Sequence, residues 1–168
     1  MTDERSRPLP DQRGQAGPER VRWQPGGRLI GLDIGSRRIG VAVSDEHGLI
    51  ASPVGYVSRG TGEQADLAGQ IQRWAPVGLI VGLPVSLSGR EGPQAADVRA
   101  FAVESLEPFG LPVRYLDERL TTTIAERALI ANGTRRSARK EQVDAMAAAV
   151  ILQDYLDGER ERYARRRS

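Results

Sequence analysis

Cysteine is missing from all 168 residues, so the chain can build neither a disulfide framework nor a thiolate metal site, and thiol-protease and zinc-finger chemistry are excluded. Histidine occurs once, as His47, too few for an imidazole-rich zinc centre. Lysine also occurs once: of 24 cationic side chains only Lys140 is not arginine, so nearly every positive group is a planar fork suited to phosphate or carboxylate. Long apolar runs are absent as well. The two longest, Leu79 to Val85 and Ala145 to Leu152, hold eight residues or fewer, far short of a membrane span. The opening Met1-Thr2-Asp3-Glu4-Arg5 has no apolar signal region, and a soluble, cytoplasmic protein is expected.

What is present suits one domain with a real core. The formal charge of +2 hides an uneven distribution: residues 1–27 hold five Arg against four acids, and residues 158–168 hold five Arg against two. The first 27 residues contain four Pro and four Gly with few apolar side chains, which predicts a disordered Pro/Gly-rich tail. Gly158 follows a helical pattern and the Arg165-Arg166-Arg167 run has no apolar partner, so residues 158–168 are expected to be a frayed basic tail. The compact domain is expected over residues 28–157.

Within it, β-rich runs cover Arg28 to Ile34, Arg38 to Asp45 and Leu49 to Ser58, and their short connections predict an antiparallel three-strand meander. Helical and strand patterns then alternate: a helix over Glu63 to Trp74, a strand over Gly78 to Gly82, a helix over Pro93 to Phe109 and a strand over Val113 to Leu116. Alternation of this kind implies parallel crossovers. A capping-box pattern at Thr123-Ile124-Ala125-Glu126 opens one more helix, and Lys140 to Leu156 forms the last. The fold class is therefore α/β: a five-stranded mixed sheet with helices on both faces.

Three carboxylates stand where such a fold gathers ligands. Asp33 ends the apolar run Leu29-Ile30-Gly31-Leu32, which reads as a strand buried on both faces, where an unpaired carboxylate is costly. Glu118 follows the last strand, and open α/β sheets bind ligands at the carboxyl ends of strands. If the strand ending at Gly82 runs between these two, their backbones lie roughly 10 Å apart, a gap that two acids and a cation would bridge across a glycine. Asp144 has Ala148, Ile151 and Tyr155 one to three turns on, so it faces the apolar side of a helix whose alanines let it lie close to the sheet. Asp117 is a candidate ligand only if the chain has already turned there. Three acids without cysteine favour a hard, oxygen-loving cation, Mg²⁺ or Mn²⁺, and two such ions drive in-line attack of water on phosphodiesters.

Basic and hydroxyl groups surround these positions in the sequence. Ser36, Arg37 and Arg38 follow Asp33; Arg119, Thr121 and Thr122 follow Glu118; Arg135, Arg136, Arg139 and Lys140 precede the last helix. They are the candidate nucleic-acid contacts. Residues 86 to 92 read as a mobile loop able to close over substrate, and His47 as an exposed turn residue.

Four motifs together carry a family likeness: Leu32-Asp33-Ile34-Gly35-Ser36-Arg37-Arg38-Ile39-Gly40-Val41-Ala42-Val43-Ser44-Asp45, Val81-Gly82-Leu83-Pro84, Asp117-Glu118-Arg119-Leu120-Thr121-Thr122, and Val143-Asp144-Ala145-Met146-Ala147-Ala148. In that order, over about residues 28–156, they resemble the YqgF family, also called RuvX. The resemblance implies a ribonuclease H-like fold related to the RuvC resolvases and a divalent-metal nuclease with acidic positions at Asp33, Glu118 and Asp144. It also implies 5′-end processing of the small-subunit ribosomal RNA precursor, or resolution of Holliday junctions, the second requiring a homodimer. Both ends of the chain fall outside the family pattern. A nucleotide-binding protein of the actin-like kind is a competing reading of Asp33-Ile34-Gly35-Ser36, though about 130 residues hold only one of the two lobes it needs. A non-catalytic, nucleic-acid-binding ribosome-assembly factor is the third.

Overall fold

The computed structural model describes residues 26–86, 88–118 and 136–167. Five strands, β1 (Leu29–Ile34), β2 (Arg38–Ser44), β3 (Ala51–Ser58), β4 (Gly78–Leu83) and β5 (Val113–Asp117), form one sheet in the order β3-β2-β1-β4-β5. The β1–β2 and β2–β3 pairs are antiparallel, and β1–β4 and β4–β5 are parallel. This is the expected meander joined to two crossover strands, with β4 between the strands that lead to Asp33 and Glu118, and it is consistent with a ribonuclease H-like α/β fold.

Helix α1 (Glu63–Trp74) and helix α2 (Pro93–Phe101) cover one face, and α3 (Arg136–Arg167) covers the other. Strand alternation sorts the core accordingly. Ile30, Leu32, Ile34, Leu79, Val81 and Leu83 join Leu67, Val98 and Phe101 on the first face. Leu29, Ala42 and Ile80 join Ala148, Ile151, Leu152 and Tyr155 on the second.

Four details differ from expectation, each for a local reason. Leu49 and Ile50 lie outside β3 because Asp45 Oδ1 accepts both of their backbone N–H groups, which holds them in the turn and leaves them exposed. The helical stretch Pro93 to Phe109 changes gauge after Phe101, passing through a π-helical segment (Ala102–Leu106) and a 3₁₀ turn (Glu107–Phe109) that contains Pro108. The described residues of the expected loop over residues 86 to 92 are tied down rather than loose: Ser86 N–H donates to Arg90 O, Val85 bridges to Glu91, and Glu91 pairs with Arg99, which lies over the Tyr115 ring. Finally, the chain does not fray at Gly158. Helix α3 runs on to Arg167, supported by i,i+3 and i,i+4 pairs of Arg160 with Asp157, Arg162 with Glu159 and Arg165 with Glu161.

The helix expected from Thr123, and residues 1–25 of the tail expected over residues 1–27, lie outside the described residues. Among the described residues no helix is long and apolar enough to cross a membrane.

Candidate active site at the carboxyl ends of the parallel strands

Alternation along β1 puts Leu29, Gly31 and Asp33 on the α3 face. Along β5 it puts Leu116 there, and the ladder continues one residue further, since Glu118 N–H donates to Leu83 O at 3.2 Å. Glu118 therefore projects to the same face as Asp33, at the same end of the sheet. Its carboxylate occupies the space above Gly82, where a β-carbon would collide with Oε1 and come within 2.6 Å of Ile151 Cδ1. The last residue but one of β4 thus has no side chain, and the flanking acid lies across it.

Asp144 reaches this place through its backbone. A β-carbon on Gly40 would collide with the Asp144 carbonyl, so α3 lies directly on β2 there, and Gly40 is the cross-strand partner of Asp33. One turn on, Gly31 accommodates Ala148 O at 2.9 Å and Leu152 Cβ at 2.7 Å from the position its own β-carbon would take. The close approach expected from the alanines of α3 is made by glycines on the sheet as well.

Electrostatics links the three acids in a row. Asp33 is pushed up to about 6, first by burial and then by the charge of Asp144. Glu118 is pushed up to about 7 by burial, then by Asp33 and by Asp117, which ends β5 exposed on the opposite side of the strand. Among the described residues no three acidic or histidine side chains are drawn together tightly enough to enclose an ion. The carboxylates are repelling neighbours around Asp33 rather than a closed ligand set. Their chemistry nonetheless fits a hard divalent cation: the donors are all oxygen, they share one face and one edge, and Gly82 supplies room between two of them.

Cationic groups approach from the β1–β2 turn. Arg38 Nη1 lies 3.8 Å from Asp144 Oδ2, is buried with no hydrogen-bond partner among the described residues, and belongs to a guanidinium resting 4.8 Å above the centre of the Tyr56 ring. Ser36 and Arg37 are exposed on the turn itself. Sequence reasoning missed the residue that holds this turn. Arg59 donates from Nη1 to Gly35 O at 2.9 Å and from its backbone N–H to Arg37 O at 2.9 Å, while its Nε pairs with Glu63 at 2.6 Å and its guanidinium sits 4.5 Å above the centre of the Phe101 ring. These partners are up to 42 residues away in sequence, and no local pattern marks them.

Of the remaining expected contacts, Arg119, Thr121, Thr122 and Arg135 lie outside the described residues. Arg136, Arg139 and Lys140 fall in the first turns of α3, and their side chains are also outside the described set. His47 is exposed in the β2–β3 turn, as expected.

With this geometry in hand, comparison with known proteins is specific. Residues 27–158 match the family described as "RuvX: Holliday junction resolvase". A protein of Lactococcus lactis subsp. cremoris, named "Putative pre-16S rRNA nuclease", is 42% identical over 134 residues, which cover 77% of this chain and 94% of that protein. A protein of the same name from Paracoccus denitrificans is 46% identical over 135 residues, covering 78% of this chain and 84% of the relative. Among solved structures, Thermus thermophilus RuvC in complex with a Holliday junction substrate aligns with a TM-score of 0.47 at 15% identity, covering 79% of this chain and 97% of that one.

Proposed function

The chain belongs to the RuvX family, and from that premise we propose that it is a divalent-metal-dependent nuclease that hydrolyses phosphodiester bonds in 5′-end processing of the 16S ribosomal RNA precursor. The observation that carries this reading is the placement of Asp33, Glu118 and Asp144 on one face, at the carboxyl ends of β1 and the β5 extension. These three residues would hold the metal, Mg²⁺ or Mn²⁺ and in the two-ion form this chemistry favours. When bound, the ions would supply an activated water and charge neutralisation at the leaving oxygen.

The chain's own groups prepare the rest. Arg38, stacked on Tyr56, brings a cation beside the acids that can turn a donor toward a phosphate oxygen. Arg59 fixes the Gly35–Arg37 turn and so sets where Ser36 and Arg37 meet the phosphate backbone. Gly82 keeps the floor of the site low, so Glu118 can extend across it. Residues 28–157 are taken as the nuclease domain.

A second reading, resolution of four-way DNA junctions by a homodimer, is favoured by the description attached to the matching family. One cleavage assay separates the two. Purified protein with Mg²⁺ or Mn²⁺ is given precursor 16S RNA, unrelated single-stranded RNA and a four-way DNA junction, with Asp144→Asn as control. Cleavage of the precursor that is lost in the control supports the proposal. Preferential cutting of the junction shifts the assignment to resolution, and metal-independent or Asp144-independent cutting removes the site.

A further inference from the structure

Helix α3 outruns the sheet beneath it. Its last deeply buried side chain is Leu156, at 1% exposure, yet the helix continues to Arg167, and residues 161–166 are all exposed. Residues 158–168 carry five Arg against two Glu, and their one large apolar group, Tyr163, is 48% exposed. A stretch with no apolar face is not kept helical by packing. Three exposed ion pairs support it, and such pairs are individually weak. Together they occupy Asp157, Glu159 and Glu161, and by sequence the five Arg of residues 158–168 outnumber these acids. The family match stops at residue 158, so the overhang lies outside the family pattern.

We propose that this overhang is a second nucleic-acid contact, gripping the phosphate backbone of the molecule whose scissile bond lies at the acids; the inference rests on the nuclease reading. Guanidinium groups in exposed i,i+3 and i,i+4 pairs exchange a carboxylate for a phosphate oxygen at little cost. Tyr163 stands one turn from both Arg160 and Arg166, an aromatic face flanked by cations on which a base can stack. A second protein copy or a membrane would require an apolar stripe, which the overhang lacks.

The placement sets a length rule. Arg160 and Arg166 lie 16 and 22 residues beyond Asp144 on one continuous helix, about 24 and 33 Å along its axis. Exposed Asp154 and half-buried Asp157 stand between, so the grip is made at the two ends rather than along the helix. The roughly 3.4 Å rise per base pair of B-form DNA gives about seven to ten pairs from the acids to the arginines, and an A-form RNA duplex, whose rise is shorter, needs at least that many.

The test compares the full chain with its triple variant Arg162→Ala, Arg165→Ala, Arg166→Ala, and with the matching Lys triple. Precursor 16S RNA fragments either extend about 24 pairs or nucleotides from the cut or are trimmed below about six. For long fragments the Ala triple should raise KM roughly tenfold or more at unchanged kcat, and should lower the slope of log affinity against log salt by about two. The Lys triple should keep the parent slope, and trimmed fragments should show no difference among the three proteins. Equal KM and equal salt slope on long fragments would overturn the overhang proposal while leaving the nuclease reading in place. Failure of the parent to cut any fragment would instead strike the nuclease reading itself.

Discussion

Asp33→Asn should stabilise the metal-free protein at neutral and alkaline pH, and the size of the gain follows from the site. The carboxyl is raised from 3.8 to about 6, chiefly by burial and further by Asp144. The folded state therefore binds this proton more tightly than the unfolded chain does. Below about pH 3.8 the group is protonated in both states and contributes no difference. As pH rises through 6 the parent loses stability, and above that the penalty is complete, at most about 3 kcal/mol for a shift of this size. Asparagine keeps the shape and removes the charge. At pH 8 in EDTA the variant's thermal midpoint should thus exceed the parent's by up to roughly 9 °C, taking about 3 °C per kcal/mol for a chain of this length. At pH 3.5 the two should coincide. Millimolar Mg²⁺ should then raise the parent's midpoint at pH 8 and close much of the gap. Unfolding followed by circular dichroism from pH 3.5 to 8.5 measures all three. A variant no more stable than the parent at pH 8, or a gap independent of pH, would refute the claim that Asp33 is a buried charge repelled by its neighbours.

The same geometry yields further expectations. Gly82→Ala should leave the protein folded, at a cost of about 1–2 kcal/mol, but should abolish cleavage, because Glu118 must swing aside; urea titration with an activity assay separates the two effects. Gly40→Ala meets backbone rather than a side-chain tip and should cost about 3 kcal/mol, with the acids displaced together. Arg59→Lys should keep a charge near Glu63 but lose the bond to Gly35 O, lowering kcat about tenfold, the equivalent of about 1.4 kcal/mol, at a midpoint within a few degrees of the parent. A drop in midpoint with unchanged kcat would make Arg59 only a brace. In the Asp33→Asn protein the Glu118 carboxyl should titrate below its parent value of about 7, since one of the charges that raise it is gone; NMR of labelled Glu reads this directly.

Much of this architecture was legible because it is written in short-range periodicity. The β-rich runs, the glycine-marked turns and the apolar stripe of the last helix are local signals, and together with the short hairpin connections they constrain the strand order. Asp33 stood out because a carboxylate closes an apolar strand, and Asp144 because it shares a helix face with Ala148 and Ile151. What stayed hidden depends on partners far apart in the chain. Gly40 looks like any strand glycine until the carbonyl of residue 144 is set on top of it. Arg59 looks like a surface charge until the β1–β2 turn folds within reach. Arg38, which lies beside Asp144, stands more than 100 residues before it in sequence. Gly158 carried the signal of a helix end, but ion pairs spaced one turn apart override a single glycine costing about 1 kcal/mol.

The seating of α3 on Gly31 and Gly40 has a bearing on how this protein can vary. A helix held off a sheet by side chains drifts whenever those side chains change size. Here the rod rests main chain to main chain at the residue that bears the third carboxylate, so its height is fixed by peptide geometry. Exchanges of valine for isoleucine elsewhere in the interior should leave the acids in register, and the chemistry is insulated from most of the ordinary turnover of core residues. The tolerance ends at a few glycines, where even one methyl group would unseat the helix.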